Sequence, residues 1–446
     1  MPGTHLPGIL FFGHQEPKAH NDELTLFVIF VLLRVLCVLS TRKLNPRESM
    51  TNETISRIQE ALKAERIDGW LLYNFRGSNV FATRLLNLPS HIMCTRRYFY
   101  FIPASGEPRK LVHRIEEWNL DGVPGTKSVY LSWQSLAEGL KTTLSGAKTV
   151  AMEYSPNCAI PYVSNVDGGT VELVRSAGVG VVSSANLVSA FESVWTDEQY
   201  SDNIETAKHL RQIVDKTFRF IRDRIAGKSA TTEYDVQQYM LSEFDSRGLT
   251  TQDPPNCSVN ANAANPHYEP TKEINTSLKE GDYVLIDLWA KKKKTGSVYA
   301  DITWMGFLGK DVPEEFEKVF QVVRGGRDAA LKLVRDRFKA GQAVYGYEVD
   351  DAARNFIAEK GYGRDFVHRT GHNIGQEIHG NGTHMDNLET HDERRVLPRT
   401  SFSIEPGVYL RDKFGVRSEI DAYISEDGDV VVTGEPMQER VVAIMA

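Results

Sequence analysis

Four carboxylates in the second half of the chain recur at one spacing and in one kind of surrounding. Asp287 lies in Gly281-Asp-Tyr-Val-Leu-Ile-Asp287-Leu-Trp289, and Asp301 in Val298-Tyr-Ala-Asp301-Ile-Thr-Trp304-Met-Gly-Phe307. Glu405, in Ser403-Ile-Glu405-Pro-Gly-Val-Tyr409, and Glu419, in Val416-Arg-Ser-Glu419-Ile-Asp421, repeat the 14-residue separation. Each stretch reads as a strand, and a turn separates the members of each pair. The midpoint of the first pair is Lys294 and that of the second is Asp412. Residues equidistant from a hairpin tip face each other, with Cβ atoms about 4.5–5.5 Å apart. Like charges so placed repel, and an acid in an apolar strand is costly if buried without a partner. One such pair is as well explained by solvated acids on a sheet face. Two pairs at the same spacing point to bound cations.

A nitrogen donor is available. Phe366-Val-His368-Arg-Thr-Gly-His372-Asn-Ile-Gly-Gln-Glu-Ile-His379 holds three histidines within 12 residues, on a segment that Gly371 and Gly375 are expected to loosen. His267, in Asn265-Pro-His-Tyr-Glu-Pro270, is a further candidate, although by itself no more than a loop histidine. Four carboxylates with an imidazole form a hard, oxygen-rich set. It suits Mn²⁺, Co²⁺, Fe²⁺ or Zn²⁺ bridged by carboxylates rather than a Cys-rich structural zinc. In two-metal sites the ions lie about 3.5–4 Å apart and share a water whose pKa falls from 15.7 toward about 7. The expected chemistry is hydroxide attack on a polarised carbonyl.

The elements that must position these groups occur twice. Thr196-Asp-Glu-Gln199 resembles a capping box and predicts a long helix to about Ile225. A second helix is predicted from near Thr232 to a stop at Gly248, and the first acid hairpin follows. The same order returns with a long helix from near Pro313, a second from near Tyr347 to Gly361, and the second hairpin. The second helices are offset by 113 residues and the acids by 118. This predicts an internally duplicated helix–helix–hairpin unit. Upstream, Ile55 to Ala64 reads as an amphipathic helix. Trp70–Tyr73, Arg97–Pro103, Thr149–Glu153 and Gly178–Val182 read as strands of a mixed, helix-covered sheet, with no catalytic cluster. The predicted organisation is an extension over 1–50, a smaller mixed α/β unit over 51–190, and a catalytic α/β (α+β) unit over 191–446.

The bulk composition narrows the classes. At 446 residues the chain is long for one core. With 41% hydrophobic and 25% charged residues it has a globular balance. A net charge of -7 argues against a nucleic-acid binder, whose footprint is a basic face. Cys37, Cys94, Cys158 and Cys257 form no C-x-x-C pair and no disulfide framework, so a reducing, cytoplasmic setting is expected. The run Leu24 to Leu39 is short for a membrane span and lacks the leading positive charge of a secretory signal. A natural start at Met50 is the simpler expectation, with a membrane anchor as the alternative.

At these residues the chain resembles the metallopeptidase family that includes methionine aminopeptidase, Xaa-Pro aminopeptidase and prolidase. The resemblance covers roughly residues 52–440. It implies the duplicated "pita-bread" fold and the ordered ligands Asp287, Asp301, His372, Glu405 and Glu419 for two divalent ions, with Mn²⁺ expected. It implies Glu405 as general base, His368 and His379 as site histidines, His267 as a histidine assisting the leaving group, and Arg417 as a substrate-side arginine. Residues 51–190 resemble the creatinase-type N-terminal domain of the proline-specific members, which argues against a methionine aminopeptidase. The implied function is hydrolysis of an N-terminal Xaa-Pro bond in a small peptide by a homodimer. Alternatives are an Xaa-Pro dipeptidase, another C–N hydrolase or lyase on the same fold, and a non-catalytic peptide-binding protein. The chain departs from the family pattern in a longer first turn, residues 291–294, expected to be a solvated tip, and in Trp289 and Trp304.

Overall fold

The computed structural model describes residues 50–89 and 92–446. The Leu24–Leu39 run and its flanks lie outside the described residues. Among those described, no helix is long and apolar enough to cross a membrane.

The first part of the chain builds a six-stranded mixed sheet. Its elements are α1 (Asn52–Ala64), β1 (Gly69–Asn74), α2 (Val80–Leu85), β2 (Tyr98–Pro103), β3 (Arg109–His113), β4 (Thr126–Tyr130), α3 (Trp133–Thr143), β5 (Thr149–Met152), α4 (Gly168–Ser176), β6 (Gly180–Ser183) and α5 (Ala185–Glu192). The strand order is β4-β3-β2-β1-β5-β6, and β2 runs antiparallel to both neighbours. The apolar runs of β1 and β2 are buried throughout, which is why they are legible. Strands β3 and β4 are absent from the sequence-based expectation. β3 opens on Arg109-Lys110, and β4 is an edge strand exposed over its first four residues. Neither shows an alternating or continuous apolar signal.

The second part contains the duplication. Its first half holds α6 (Asp197–Ala226), α7 (Glu233–Ser246), β7 (Leu249–Thr250), β8 (Asn256–Val259), β9 (Tyr283–Lys292) and β10 (Ala300–Phe307). Its second half holds α8 (Glu314–Lys339), α9 (Gly346–Glu359), β11 (Asn373–Ile374), β12 (Ser401–Ile404), β13 (Gly407–Leu410), β14 (Phe414–Arg417), β15 (Ile420–Ile424), β16 (Val430–Thr433) and β17 (Val442–Ala443). Capping boxes at Thr196/Gln199 and Thr232/Asp235 start α6 and α7. Gly248 and Gly361, both at positive φ, follow α7 and α9. The helices cover one sheet made of β17-β10-β9-β7 with β8 on β9, and a second made of β11-β12-β15-β16. The acids lie where these two sheets meet.

The registers differ between the halves. In the second, Ile404 pairs with Ile420 and Gly407 with Arg417. The same register places Glu405 opposite Glu419 and centres the turn on Asp412, as expected, with Asp412 at φ 62°. In the first, Asp287 pairs with Thr303 and Asp301 with Trp289. Asp287 and Asp301 are therefore diagonal neighbours on one face, not directly opposed. The turn is centred on Thr295, one residue beyond the expected Lys294. Past Ala290, Lys291 and Lys292 pair on the other edge of β9 with Thr250 and Leu249 of β7.

The lysine turn is exposed at Lys293 and Lys294, as expected of a solvated tip. It also carries charge pairs: Lys292 and Lys294 both bond Asp202 on α6, at 2.8 and 2.9 Å, Lys294 reaches Glu198, and Lys293 pairs with Asp245.

Candidate metal centre

Asp301 on β10, His372 before β11 and Glu419 before β15 offer ligand atoms that all lie within 4.8 Å of one another, and all three side chains are buried. His372 Nε2 is 3.2 Å from Glu405 Oε1 and 3.8 Å from Asp301 Oδ2. Asp287 completes the group from β9, where the Arg417 guanidinium pairs with it. Thr303, which faces Asp287, donates its hydroxyl to Glu419 Oε2 at 2.7 Å. The backbone N–H of Asp301 donates to Asp421 Oδ2 at 2.8 Å.

The electrostatics are those of a site built around cations. Burial, then the charges of Glu419 and Asp287, push the Asp301 carboxyl well above its usual range. Burial, then Glu405 and Asp287, do the same to Glu419. Burial raises Asp287 too, with Arg417 opposing. Glu405 goes the other way. Burial pushes it up, but its hydrogen bond to His372, reinforced by His372 and Arg417 electrostatically, holds it below the ordinary carboxylate range. Asp301 Oδ1 and Glu419 Oε1 are buried and find no hydrogen-bond partner among the described residues. Orphaned carboxylate oxygens of this kind are expensive unless a cation takes the lone pairs. The donor set, carboxylate oxygens with one imidazole, fits hard or borderline divalent ions. The five expected ligands are thus brought together, with Asp301, His372 and Glu419 the tightest group.

The remaining candidates are placed as follows. His379 packs edge-to-face on His372, ring centroids 4.3 Å apart, and repulsion from His372, then burial, lowers its pKa to about 3. His267 is exposed on the loop after β8 and lies within electrostatic reach of His379. His368 presents no free ring nitrogen, since Nδ1 bonds the Arg369 carbonyl and Nε2 bonds the Tyr409 hydroxyl at 2.7 Å. Arg417, expected on the substrate side, is 5% exposed and committed inward. Its donors go to Asp287, Thr303 Oγ1 at 3.0 Å and Tyr409 Oη at 3.3 Å.

Two neighbours overlooked in the sequence carried a signal. Thr303 and Asp421 stand two residues after Asp301 and Glu419, the period that keeps strand side chains on one face. Tyr409, which links His368 to Arg417, gave none.

Gly371 does not loosen the histidine segment. A Cβ there would lie 1.9 Å from the Ser403 carbonyl oxygen. The glycine lets the segment lock onto β12, with Ser403 N–H donating to His372 O at 2.8 Å and Glu405 N–H to Thr370 O at 2.7 Å. Gly371→Ala is expected to destabilise the fold by about 2–3 kcal/mol, the cost of overpacking, in denaturant unfolding. Unchanged stability would contradict the close approach. The loop from His372 to His379 is tethered as well. Arg84 of α2 pairs with its Glu377 and with Glu192, and Lys291 donates to the Gln376 carbonyl.

Comparison with known proteins agrees with this architecture. Residues 205–426 match metallopeptidase family M24. An uncharacterized peptidase of Schizosaccharomyces pombe is 30% identical over 207 residues, which is 46% of this chain and 43% of that one. The chain thus spans less than half the length of that relative. The crystal structure of dipeptidase PepE from Mycobacterium ulcerans superposes with a TM-score of 0.63 at 19% identity, covering 88% of this chain and 97% of that one. An X-prolyl aminopeptidase of Caenorhabditis elegans, described as cytosolic with a di-nuclear active site, gives 0.58 at 16% identity, covering 87% of this chain and 63% of that one. The fold is the pita-bread fold of these peptidases.

Proposed function

The chain belongs to metallopeptidase family M24, and on that premise we propose that it is an exopeptidase hydrolysing the bond between an N-terminal residue and proline. The observation that carries the reading is the buried cluster itself, in which Asp301, His372 and Glu419 offer ligand atoms within 4.8 Å of one another. Asp301 and Glu419 are raised by burial and then by neighbouring carboxylates, and Glu405 is held below the ordinary range. Two divalent cations, with Mn²⁺ our choice, held by Asp287, Asp301, His372, Glu405 and Glu419, would supply Lewis acidity at the scissile carbonyl and lower the pKa of a water. Glu405 takes the proton of the attacking water and returns it to the leaving nitrogen. His379, neutral at physiological pH, donates to the developing oxyanion. His267 stands at the open side to meet the leaving nitrogen. His368 and Tyr409 hold Arg417 against Asp287 and so fix a ligand.

In the same reading residues 51–190 are a creatinase-type N-terminal domain and 191–446 the catalytic domain. The enzyme acts as a cytoplasmic homodimer. The purified protein with Mn²⁺ is expected to release the first residue from a panel of Xaa-Pro dipeptides and longer Xaa-Pro peptides, followed by chromatography. No turnover of any member under several metals would sink the proposal.

A further inference from the structure

We propose that Trp289 is a specificity-determining residue that shortens the pocket for the substrate's first side chain, so that a small N-terminal residue is favoured over a large one. This rests on the exopeptidase reading above. Trp289 stands two residues after Asp287, on the same face of β9, and its Cα pairs with that of Asp301 across the hairpin. Cβ atoms of such partners are about 4.5–5.5 Å apart, so the indole begins beside a ligand carboxylate.

The ring belongs to an apolar layer that adjoins the ligands. Two residues from Asp287, Asp301, His372 and Asp421 stand Trp289, Tyr299, Ile374 and Tyr423, and all four pack in one cluster with Trp195. Tyr299, Ile374 and Tyr423 are buried, whereas Trp289 and Ile378 are only half-buried. These two are therefore the members of the group that a ligand can touch, and Ile378 is the neighbour of His379. Packing alone holds the indole. Its N–H is buried and has no acceptor among the described residues, although a buried tryptophan usually finds one.

The space beside Trp289 is closed at its far end. Lys291, next on the same face of β9, donates from Nζ to the Gln376 carbonyl of the His372–His379 loop and lies 4.6 Å from the centre of the Tyr299 ring. Strand and loop are thus bridged just beyond Trp289. The other side of the centre is open, where His267 stands exposed. A peptide cleaved after its first residue continues through the open side. Its first side chain then points to the bridged side, against Trp289 and Ile378. A methyl group fits in front of the indole, whereas a benzyl group meets it and overpacks a wall that has no room to retreat.

The test measures kcat/KM for Ala-Pro and Phe-Pro on the full-length Mn²⁺-loaded enzyme. The wild type is expected to favour Ala-Pro by about tenfold to a hundredfold, the range of size discrimination in an apolar pocket. In Trp289→Ala the ratio should fall to near unity through a gain for Phe-Pro, and Trp289→Phe, which keeps a ring, should retain most of the preference. Melting temperature and Mn²⁺ content are measured on each variant, and Trp289→Leu, with partial relief expected, is read instead if Trp289→Ala does not fold. Equal use of both peptides by the wild type, or an unchanged ratio in the truncated variant, overturns the proposal. A loss of preference in Trp289→Phe as complete as in Trp289→Ala overturns it too. If neither peptide is hydrolysed, the exopeptidase reading falls. Calorimetric titration with the same two peptides then decides the pocket. Tighter binding of Ala-Pro that disappears in Trp289→Ala keeps the proposal, and equal affinities in the wild type overturn it.

Discussion

Glu405→Gln is expected to lower kcat for an Xaa-Pro substrate by about 10²- to 10⁴-fold, the contribution typical of a positioned general base. The amide is isosteric and can still accept the Ser403 hydroxyl, which donates to Glu405 Oε1 at 3.0 Å. It cannot take a proton. The fold should tolerate the change well, because Glu405 adds to the repulsion that raises Asp287, Asp301 and Glu419. As Glu405 also belongs to the ligand set, the measurement is made at saturating metal with metal content determined in parallel. A lost proton acceptor lowers kcat while metal content and KM stay near wild type, whereas a merely structural role lowers metal content or melting temperature as well. Retention of a tenth or more of wild-type kcat would refute the assignment.

Removing divalent metal is expected to lower the melting temperature, and Asp301→Asn to erase that dependence. Metal-free, the centre holds buried acids whose pKa values are raised, Asp301 and Glu419 most clearly. The sign follows from linkage. A carboxyl whose folded pKa lies above its unfolded value keeps a proton that the unfolded chain has released. The metal-free fold therefore loses stability as pH rises from the ordinary carboxylate range through the raised values. A cation favours the ionised forms, so binding expels protons and strengthens as pH rises. At a metal concentration of 100 times Kd the gain is about 2.7 kcal/mol, or several degrees in Tm. Scans with Mn²⁺ and with chelator at pH 6 and pH 8 should show the larger shift at pH 8. Metal-free Asp301→Asn should melt no lower than the metal-free wild type, since a neutral amide relieves Glu419 and Asp287. An undiminished Mn²⁺ shift in Asp301→Asn would remove this residue from the centre.

Local periodicity accounts for what is legible in the amino-acid sequence. The acids stand in strand-like runs at a repeated spacing, the starts of α6 and α7 carry their capping residues, and Gly248 and Gly361 mark the stops of α7 and α9. These signals depend on neighbours a few residues away. They are enough for the duplicated unit, the directly opposed second acid pair about Asp412, and the five candidate ligands. The tertiary structure decided whatever depends on distant partners. The β9–β10 register centres the first turn one residue beyond the midpoint of its acids, which turns a facing pair into a diagonal one. Asp202 of α6 pairs with two lysines of the solvated turn. Ser403 determined that Gly371 is a point of close approach. Tyr162 and Arg369 meet across 207 positions of sequence, with no periodicity to announce them. The sequence alone thus specified which groups could bind cations, because donor chemistry and strand period are local. Which of those groups stay free for a substrate was decided by the docking of sheets and domains, because pairing and burial are properties of contacts between distant segments.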